Sequence, residues 1–157
     1  MKAEDKGVLR KLLTEARVLS LGVLVEGEPY VGLLPFVVGH DFQSVLVHAS
    51  DLAKHSRGLQ EGSPFSLLIH GTDEPDGDPL QVARVTISGT VHQLARTDEE
   101  YPRLRDAYID RFPTSERTFM LGDFYLYKLQ FERGRLVAGF ARAVNLRPES
   151  FAELSSP

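Results

Sequence analysis

The chain contains no cysteine among its 157 residues. It therefore has no thiol for nucleophilic catalysis, for disulfide bonds or for thiolate metal sites. It also has no apolar run approaching the roughly 20 residues that cross a bilayer, and residues 1–6 lack the apolar stretch of a signal peptide. We therefore expect a cytoplasmic protein without a membrane partner.

Basic residues are fewer than acidic residues. The 18 lysines and arginines are outnumbered by 22 aspartates and glutamates, which leaves a formal net charge of −4 at pH 7. This balance disfavours broad binding to the phosphate backbone of nucleic acids, so we predict no nucleic-acid partner. Hydrophobic residues make up 42% of the chain, which is enough for the core of one domain spanning residues 1–157.

Several motifs with a strong chemical meaning are absent. The sequence has no Walker loop, no GxGxxG fingerprint and no GxSxG elbow. Its five histidines include no HxxxH or HxH pair. The acidic run 73–78 is interrupted by Pro75 and lacks the Glu that closes a calcium loop. We therefore predict no metal site, and any redox chemistry would have to come from a bound cofactor.

Apolar periodicity predicts a chain rich in short strands. Pro35 falls inside the second strand and has no N–H to donate, so an edge, a bulge or a break is expected there. Thr97 and Glu100 have the spacing of a capping box, and Arg133-Gly134 is the predicted turn of a closing hairpin. The predicted strands are 18–25, 30–38, 44–49, 65–70, 82–94, 125–132 and 136–142, and the predicted helices are 5–16, 51–60, 97–112 and 148–154.

The connections between these elements indicate the fold class. Neighbouring strands are joined mostly by tight turns, so they should pair antiparallel. A doubly wound α/β sheet would instead interleave long helices between its strands. The sequence therefore predicts a mainly β (α+β) barrel with short helices at its periphery.

The segment 50–59 follows a strand and is predicted to open a helix, with Ser50 as the N-cap. The unpaired N–H groups and the positive dipole end at a helix start attract anions. Lys54 and Arg57 add positive charge, and His55 can donate a hydrogen bond. This pattern is typical of a phosphate site. A capped surface helix whose basic residues are simply solvated is the alternative.

Two further positions are candidates for ligand contact. Arg84 lies on the polar face of its strand with Thr86 and Ser88, where it could donate to a ligand carbonyl or phosphate. A solvated outer face is the alternative there. Gly139 would let a flat ring approach the last strand, and Phe140 could stack on it, but an ordinary strand with one core phenylalanine explains the same residues.

Taken in order, five segments resemble the pyridoxamine-phosphate-oxidase-like FMN-binding split barrels, and more narrowly the branch related to the haem-utilisation proteins. The resemblance extends over roughly residues 8–143. Each motif alone has low specificity, so the resemblance depends on their order and spacing. It implies an antiparallel split β-barrel of the FMN-binding type. The segments are 29–36, 47–59, 83–89, 122–124 and 139–143.

The resemblance also implies that FMN lies in the cleft of a homodimer. Lys54 and His55 match positions that bind the FMN phosphate, and Arg84 matches one that contacts the flavin. Pro35 and Phe36 would lie beside the isoalloxazine, and Phe140 and Arg142 would approach from the partner subunit. With Ser50 and Arg57 added from the residues themselves, the candidate cofactor-binding set is Pro35, Phe36, Ser50, Lys54, His55, Arg57, Arg84, Phe140 and Arg142.

The chain departs from the oxidases of that family at three places. The oxidases carry an arginine early in the second strand that helps to hold the phosphate, and this region is Gly32-Leu33 here. Their usual phosphate-binding triplet Ser-Arg-Lys is replaced by Ala53-Lys54-His55. The Arg-x-His substrate motif near the C-terminus is missing. These departures argue against oxidation of pyridoxamine phosphate itself.

Three functions are consistent with these observations. The first is an FMN-dependent oxidoreductase acting on a small molecule, in which the flavin supplies the hydride chemistry; a deazaflavin in place of FMN stays open. The second is haem binding or haem breakdown, motivated by the haem-utilisation resemblance and by several histidines. The third is a non-catalytic dimeric sensor or scaffold.

Overall fold

The structure is a computed structural model and describes residues 1–156. The helices are α1 (Ala3–Glu15), α2 (Tyr101–Arg111), α3 (Glu116–Phe119) and α4 (Pro148–Ala152). The strands are β1 (Val18–Val25), β2 (Glu28–Pro35), β3 (Val37–Val38), β4 (Ser44–Ser50), β5 (Pro64–His70), β6 (Arg84–Leu94), β7 (Phe124–Gly139) and β8 (Arg142–Leu146). Short 3-10 helices span Lys54–Gly58, Pro79–Gln81 and Pro113–Ser115.

All strand pairs are antiparallel and form one sheet of eight strands. Its order is β2-β1-β5-β6-β7-β4-β3, and β8 pairs with β7. The edge strand β2 also contacts β4 near the far end of this order, so the sheet curls back on itself. The predicted antiparallel split barrel with short helices is therefore confirmed.

The curled sheet buries a core on each of its faces. In β4, Val47 points to the inner core while its neighbour Leu46 points to the outer face, because side chains alternate along a strand. Leu9 of α1 and Phe151 of α4 complete the inner core. On the outer face, α2 covers Leu46 and Leu126 in a smaller second cluster. This face would otherwise be an exposed apolar surface.

Two strand predictions can be compared directly with the fold. Pro35 ends β2, which lies at the sheet edge, so the expected edge or break is confirmed. The hairpin turn predicted at Arg133-Gly134 is wrong, because β7 runs through these residues and pairs with β6 on both sides of them. A Cβ at Gly134 would lie 3.0 Å from the Thr86 carbonyl oxygen, so glycine here permits close packing rather than a turn. The chain turns instead at Phe140 and Ala141.

Two of the four predicted helix starts are wrong. The helix expected at 51–60 is the five-residue 3-10 helix Lys54–Gly58, and its N-cap is Ala53, which has no side-chain hydrogen bond. The capping box predicted at Thr97 and Glu100 does not form, because α2 begins at Tyr101. The carboxylate of Asp98 accepts the backbone N–H of Glu100 instead. None of the helices in residues 1–156 has the length and apolar character that a membrane span requires.

Candidate functional site

The 3-10 helix Lys54–Gly58 packs against the hairpin of β1 and β2. A Cβ at Gly58 would lie 2.6 Å from the Cβ of Val23 and 2.8 Å from the carbonyl oxygen of Leu24. Only glycine allows this approach, since real Cβ contacts are essentially never shorter than 3.0 Å. The helix is therefore fixed on the hairpin, and Lys54 and His55 lie beside β2.

Lys54 and His55 each contact one residue of β2. The Lys54 ammonium lies 4.9 Å from the centre of the Tyr30 ring, a cation–π distance. The His55 ring lies over Gly32, where an added Cβ would be 3.0 Å from Nδ1. A larger residue at position 32 would take the space of this imidazole. The glycine in a region where the oxidases carry an arginine thus accommodates His55.

The His55 imidazole is neutral near pH 7, because burial lowers the pKa of His55 below its ordinary value of 6.5. Its Nε2 atom is buried and has no hydrogen-bond partner among the described residues. Arg57 points away from this pair and lies 3.7 Å from the Glu26 carboxylate. In the described part of the chain, Lys54 makes no ion pair, so it is the cation available to an anion here.

Ser50 is not available to a phosphate. Its hydroxyl donates to the carboxylate of Asp123 over 2.7 Å and accepts the backbone N–H of Leu52 over 3.1 Å. A phosphate bound to this hydroxyl would meet a carboxylate at the same position. The helix-start anion site predicted at Ser50 is therefore not formed in the structure.

The remaining predicted arginines are engaged in structural contacts. Arg84 donates to the carbonyl oxygens of Leu80 and Val82 over 3.2 and 3.0 Å, and so holds the segment before β6. Arg142 donates to the carboxylate of Asp5 over 2.6 Å, and a second nitrogen of its guanidinium bonds to Glu4 over 2.7 Å. Because Asp5 is only 4% exposed, this contact ties α1 to the β7–β8 turn.

The predicted aromatic and proline positions are spread over the molecule. Phe36 is fully buried in the inner core, so its side chain does not reach a ligand at the surface. Pro35 is exposed at the end of the edge strand, and Phe140 is 73% exposed at the β7–β8 turn. The structure thus brings Lys54 and His55 together beside β2 and leaves Phe140 and Arg142 at another turn.

An apolar patch covers the outer face of β1 and β2. Val31 and Leu33 are 66% and 68% exposed, and Val18 and Leu24 of β1 are also largely exposed. Leu33 pairs with Ser20, which in turn pairs with Leu68 of β5. Val31 pairs with Gly22 of β1 in the same way. We call this surface the β1–β2 face.

A cleft of about 820 Å³ lies between α1 and the segment 71–83. Residues 72–79 are exposed, and no pattern in the sequence indicated that this segment walls a cleft. His70 lines the cleft at the end of β5, and its Nδ1 lies 2.6 Å from the carbonyl oxygen of Gly71. The other lining residues are Val8, Lys11, Leu12, Glu15, Ala16, Arg17, Val18, Gly71, Thr72, Asp73, Glu74, Gln81, Val82 and Ala83.

A second histidine missed by sequence analysis lies under α2 and α3. His48 is 6% exposed and stacks on Phe119, with ring centres 3.7 Å apart and planes 7° from parallel. Tyr108 meets it edge-on at 5.6 Å, and the Phe124 ring is 5.2 Å away. No short-range pattern marks this residue, because its neighbours come from three distant segments.

The His48 imidazole is neutral and held in one tautomer. The Thr118 hydroxyl donates to the Ser115 carbonyl over 2.8 Å, so the His48 Nδ1–H donates to that hydroxyl over 3.3 Å. The Nε2 atom then carries a lone pair, and it is buried without a partner among the described residues. Burial and the nearby charge of Arg96 lower the pKa of His48 to about 4.

Comparison with known proteins relates the chain to haem-binding split barrels. No family model matches it. In sequence it is 26% identical over 148 residues to the heme oxygenase HutZ of Vibrio cholerae, which covers 92% of this chain and 82% of that protein. In structure it matches a heme binding protein from Mycobacterium smegmatis with a TM-score of 0.82 at 24% identity, covering 98% of this chain and 61% of the other.

A third similarity involves a flavin as well as haem. The FAD and heme binding protein of Mycobacterium smegmatis matches with a TM-score of 0.65 at 19% identity, over 92% of this chain and 76% of the other. The chain spans 61% of the length of the first Mycobacterium smegmatis protein, which is therefore considerably longer. Together these similarities confirm the split-barrel fold and the resemblance to its haem-utilisation branch.

Proposed function

We propose that this protein binds haem. The similarity to the heme oxygenase HutZ, which extends over 92% of this chain, is the observation that carries the proposal. It is supported by the structural match to a heme binding protein over 98% of the chain. Electron transfer and oxygen chemistry would be supplied by the iron porphyrin, while the protein would bind it and control access to it.

The cleft beside α1 meets only some of the needs of such a group. Haem has a flat apolar macrocycle, two carboxylates and an iron that accepts an imidazole nitrogen. The cleft has a volume of about 820 Å³, which is within the range of small-molecule sites, and its lining includes His70 and apolar side chains. Its acidic side chains outnumber its basic ones, however, so the lining does not suit the two carboxylates of haem.

Flavin binding is the second candidate, favoured by the similarity to an FAD and heme binding protein. The Lys54 ammonium beside the Tyr30 ring would take a flavin phosphate. Ser50 would not contribute, because its hydroxyl is bonded to the Asp123 carboxylate. An FMN-dependent reaction on a small molecule would then use the flavin for hydride transfer.

We also propose that the protein forms a homodimer through the β1–β2 face. Exposed apolar patches of this kind mark contact surfaces in soluble proteins. Self-complementary contacts across a two-fold axis would bury Val31 and Leu33 of both chains. Lys54 and His55 lie on the other face of this edge strand, since they contact Tyr30 and Gly32, which alternate with Val31 and Leu33 along β2.

Thermal unfolding of the protein with hemin, FMN and FAD in parallel tests the haem and flavin proposals. A ligand that binds only the folded state at 100 times its dissociation constant raises the free energy of unfolding by about 2.7 kcal/mol. We expect hemin to raise the melting temperature in this way and iron-free protoporphyrin to do so less. A rise with FMN or FAD alone, abolished by Lys54→Ala but not by the control Lys2→Ala, would support the flavin candidate instead. No rise with any of them would contradict both.

A further inference from the structure

We propose that the homodimer interface extends from the β1–β2 face across the neighbouring strands, where Arg133 and Arg135 of each chain pair with the acidic segment 73–78 of a second copy. This inference rests on the homodimer proposed above and adds its extent and its charged contacts. Three features support it: an uncovered part of the outer sheet face, two arginines on that part without a strong ion pair, and unpaired carboxylates at the same end of the sheet.

The outer sheet face is covered at one end only. There α2 packs over Leu46 and Leu126. The remaining part, which we call the bare face, consists of two rows of paired residues, and none of them is buried. Their inward-pointing neighbours Leu67 and Ile87 are almost completely buried. The rows are Leu33–Ser20–Leu68–Thr86–Arg135 and Val31–Gly22–Ser66–Ser88–Arg133.

The bare face has the composition of a protein contact surface. Its side on β1 and β2 is the apolar β1–β2 face, and its middle carries small uncharged residues such as Gly22 and Ser66. Neither row has a charged residue before the arginines of β7. Charged residues are depleted from the cores of protein interfaces, where arginine is enriched. A partner that covers Val31 and Leu33 would therefore continue onto this surface.

Two arginines of β7 have donors to spare on the bare face. The Arg133 guanidinium lies 3.9 Å from the carboxylate of its neighbour Glu132, and both side chains are exposed, so this contact contributes little. Arg135 donates to the side-chain oxygen of Asn145 over 2.7 Å, and that amide carries no charge. A guanidinium has five N–H donors. Both arginines can therefore still bind a carboxylate from another chain.

The acidic segment 73–78 lies at the same end of the sheet as these arginines. It belongs to the connection between β5 and β6, which pair at His70 and Arg84 beside it. Arg135 pairs with Thr86, only two residues further along β6. Among the described residues, none of the carboxylates of the segment forms an ion pair. These exposed carboxylates belong to Asp73, Glu74, Asp76 and Asp78.

The charges select one direction for the two-fold axis of the dimer. Two chains that pack through the same face are related by such an axis. An axis running across the strands would place Arg133 and Arg135 against the same arginines of the second copy, where like charges repel. An axis running along the strands keeps the arginines and the acidic segments of both chains at one end of the dimer. Each segment then lies close to the arginines of the other chain.

The test is the dissociation constant of the dimer, measured by analytical ultracentrifugation of two charge-reversed variants and of their mixture. One variant carries Arg133→Glu and Arg135→Glu. The other carries Asp73→Lys, Glu74→Lys and Asp76→Lys, and keeps Asp78 because its carboxylate accepts the backbone N–H of Leu80.

Each variant alone should dissociate at least about tenfold more readily than the unaltered protein, because like charges then face each other. An equimolar mixture should associate more tightly than either variant alone, since both contacts of the mixed dimer join opposite charges. A loss of folding in either variant would not produce this recovery.

The matched control carries Arg103→Glu and Arg105→Glu on α2. These two arginines have the same spacing and undergo the same change of charge, and the control should dimerise as the unaltered protein does. If the reversed variants dimerise normally, or if their mixture shows no recovery, the charged contacts are wrong. The homodimer through the β1–β2 face still stands in that case if Leu33→Glu is monomeric. If the unaltered protein is a monomer, the proposed homodimer fails together with these contacts.

Discussion

The Ser50 hydroxyl donates a 2.7 Å hydrogen bond to the carboxylate of Asp123, a residue 73 positions further along the chain. The two residues join the end of β4 to the start of β7, and the backbone N–H of Asp51 donates to the Asp123 carbonyl over 2.8 Å beside them. The Asp123 carboxylate thus takes the Ser50 hydroxyl that the sequence predicted would bind a phosphate. It makes Ser50 a structural residue.

We therefore predict that Ser50→Ala lowers stability without affecting flavin binding. The loss of a hydrogen bond to a partly buried carboxylate should decrease the free energy of unfolding by about 1–2 kcal/mol. Urea denaturation measures this change, and quenching of FMN fluorescence measures affinity. Ser63→Ala, whose hydroxyl makes no hydrogen bond among the described residues, is the control. A selective loss of FMN affinity in Ser50→Ala would instead show that Ser50 contributes to a phosphate site.

Gly58→Ala is predicted to displace the Lys54–Gly58 helix from the hairpin. Its new methyl group would lie 2.6 Å from the Cβ of Val23, so the backbones have to separate. We expect a decrease of about 1–3 kcal/mol in the free energy of unfolding. Gly7→Ala is the matched control, because no atom lies within 4 Å of a Cβ there. In the middle of α1 it should stabilise the protein by roughly 0.5–1 kcal/mol; equal stability of both variants would contradict the packing.

His48 should make stability depend on pH. Its pKa is about 4 in the folded protein, against an ordinary value of 6.5. Between these values the unfolded chain binds a proton that the folded protein does not, so stability falls as the pH drops through this range. The shift corresponds to a loss of up to roughly 3 kcal/mol by pH 4. Above pH 7 the imidazole is neutral in both states and contributes no pH dependence.

Chemical denaturation at a series of pH values measures this contribution. We expect His48→Phe, which keeps an aromatic ring against Phe119, to lose less stability between pH 7 and pH 4 than the unaltered protein. Burial also lowers the pKa of His55, so some dependence of the same sign should persist in His48→Phe. The exposed His40→Ala should follow the unaltered protein. Parallel curves for His48→Phe and the unaltered protein would show that His48 is not responsible.

A single charged substitution on the β1–β2 face should prevent formation of the proposed homodimer. Leu33 is 68% exposed in the single chain, so Leu33→Glu should leave the fold intact and convert a dimer to a monomer. Light scattering coupled to gel filtration measures the mass. Leu80→Glu, at an equally exposed position in the loop before β6, should stay dimeric. A monomeric unaltered protein would exclude the proposed homodimer.

Local patterns were sufficient for much of the fold. The alternating burial along β1 is the pattern that its sequence predicts. The turn at Glu26-Gly27 has positive φ angles of 53° and 78°, as a tight turn between twisted strands requires. The turn predicted at Arg133-Gly134 does not form, because pairing with β6 overrides the local turn preference of glycine. This pairing is long-range, because Gly134 pairs with Ile87 and Arg133 with Ser88.

The site was less predictable for the same reason. Ser50 has the chemistry of an N-cap, but Asp123 from a distant strand competes for its hydroxyl. Arg84 was predicted to donate to a ligand, and in the structure it donates to carbonyl groups of its own chain. The cleft beside α1 had no signal in the sequence, because it exists only once α1 and the segment 71–83 are brought together by the sheet.

The amount of haem retained after gel filtration of the hemin-loaded protein tests the central claim most directly. We predict about one haem per chain, retained with a dissociation constant near 1 μM or lower. Recovery of protein without haem, when hemin was supplied in excess, would contradict it.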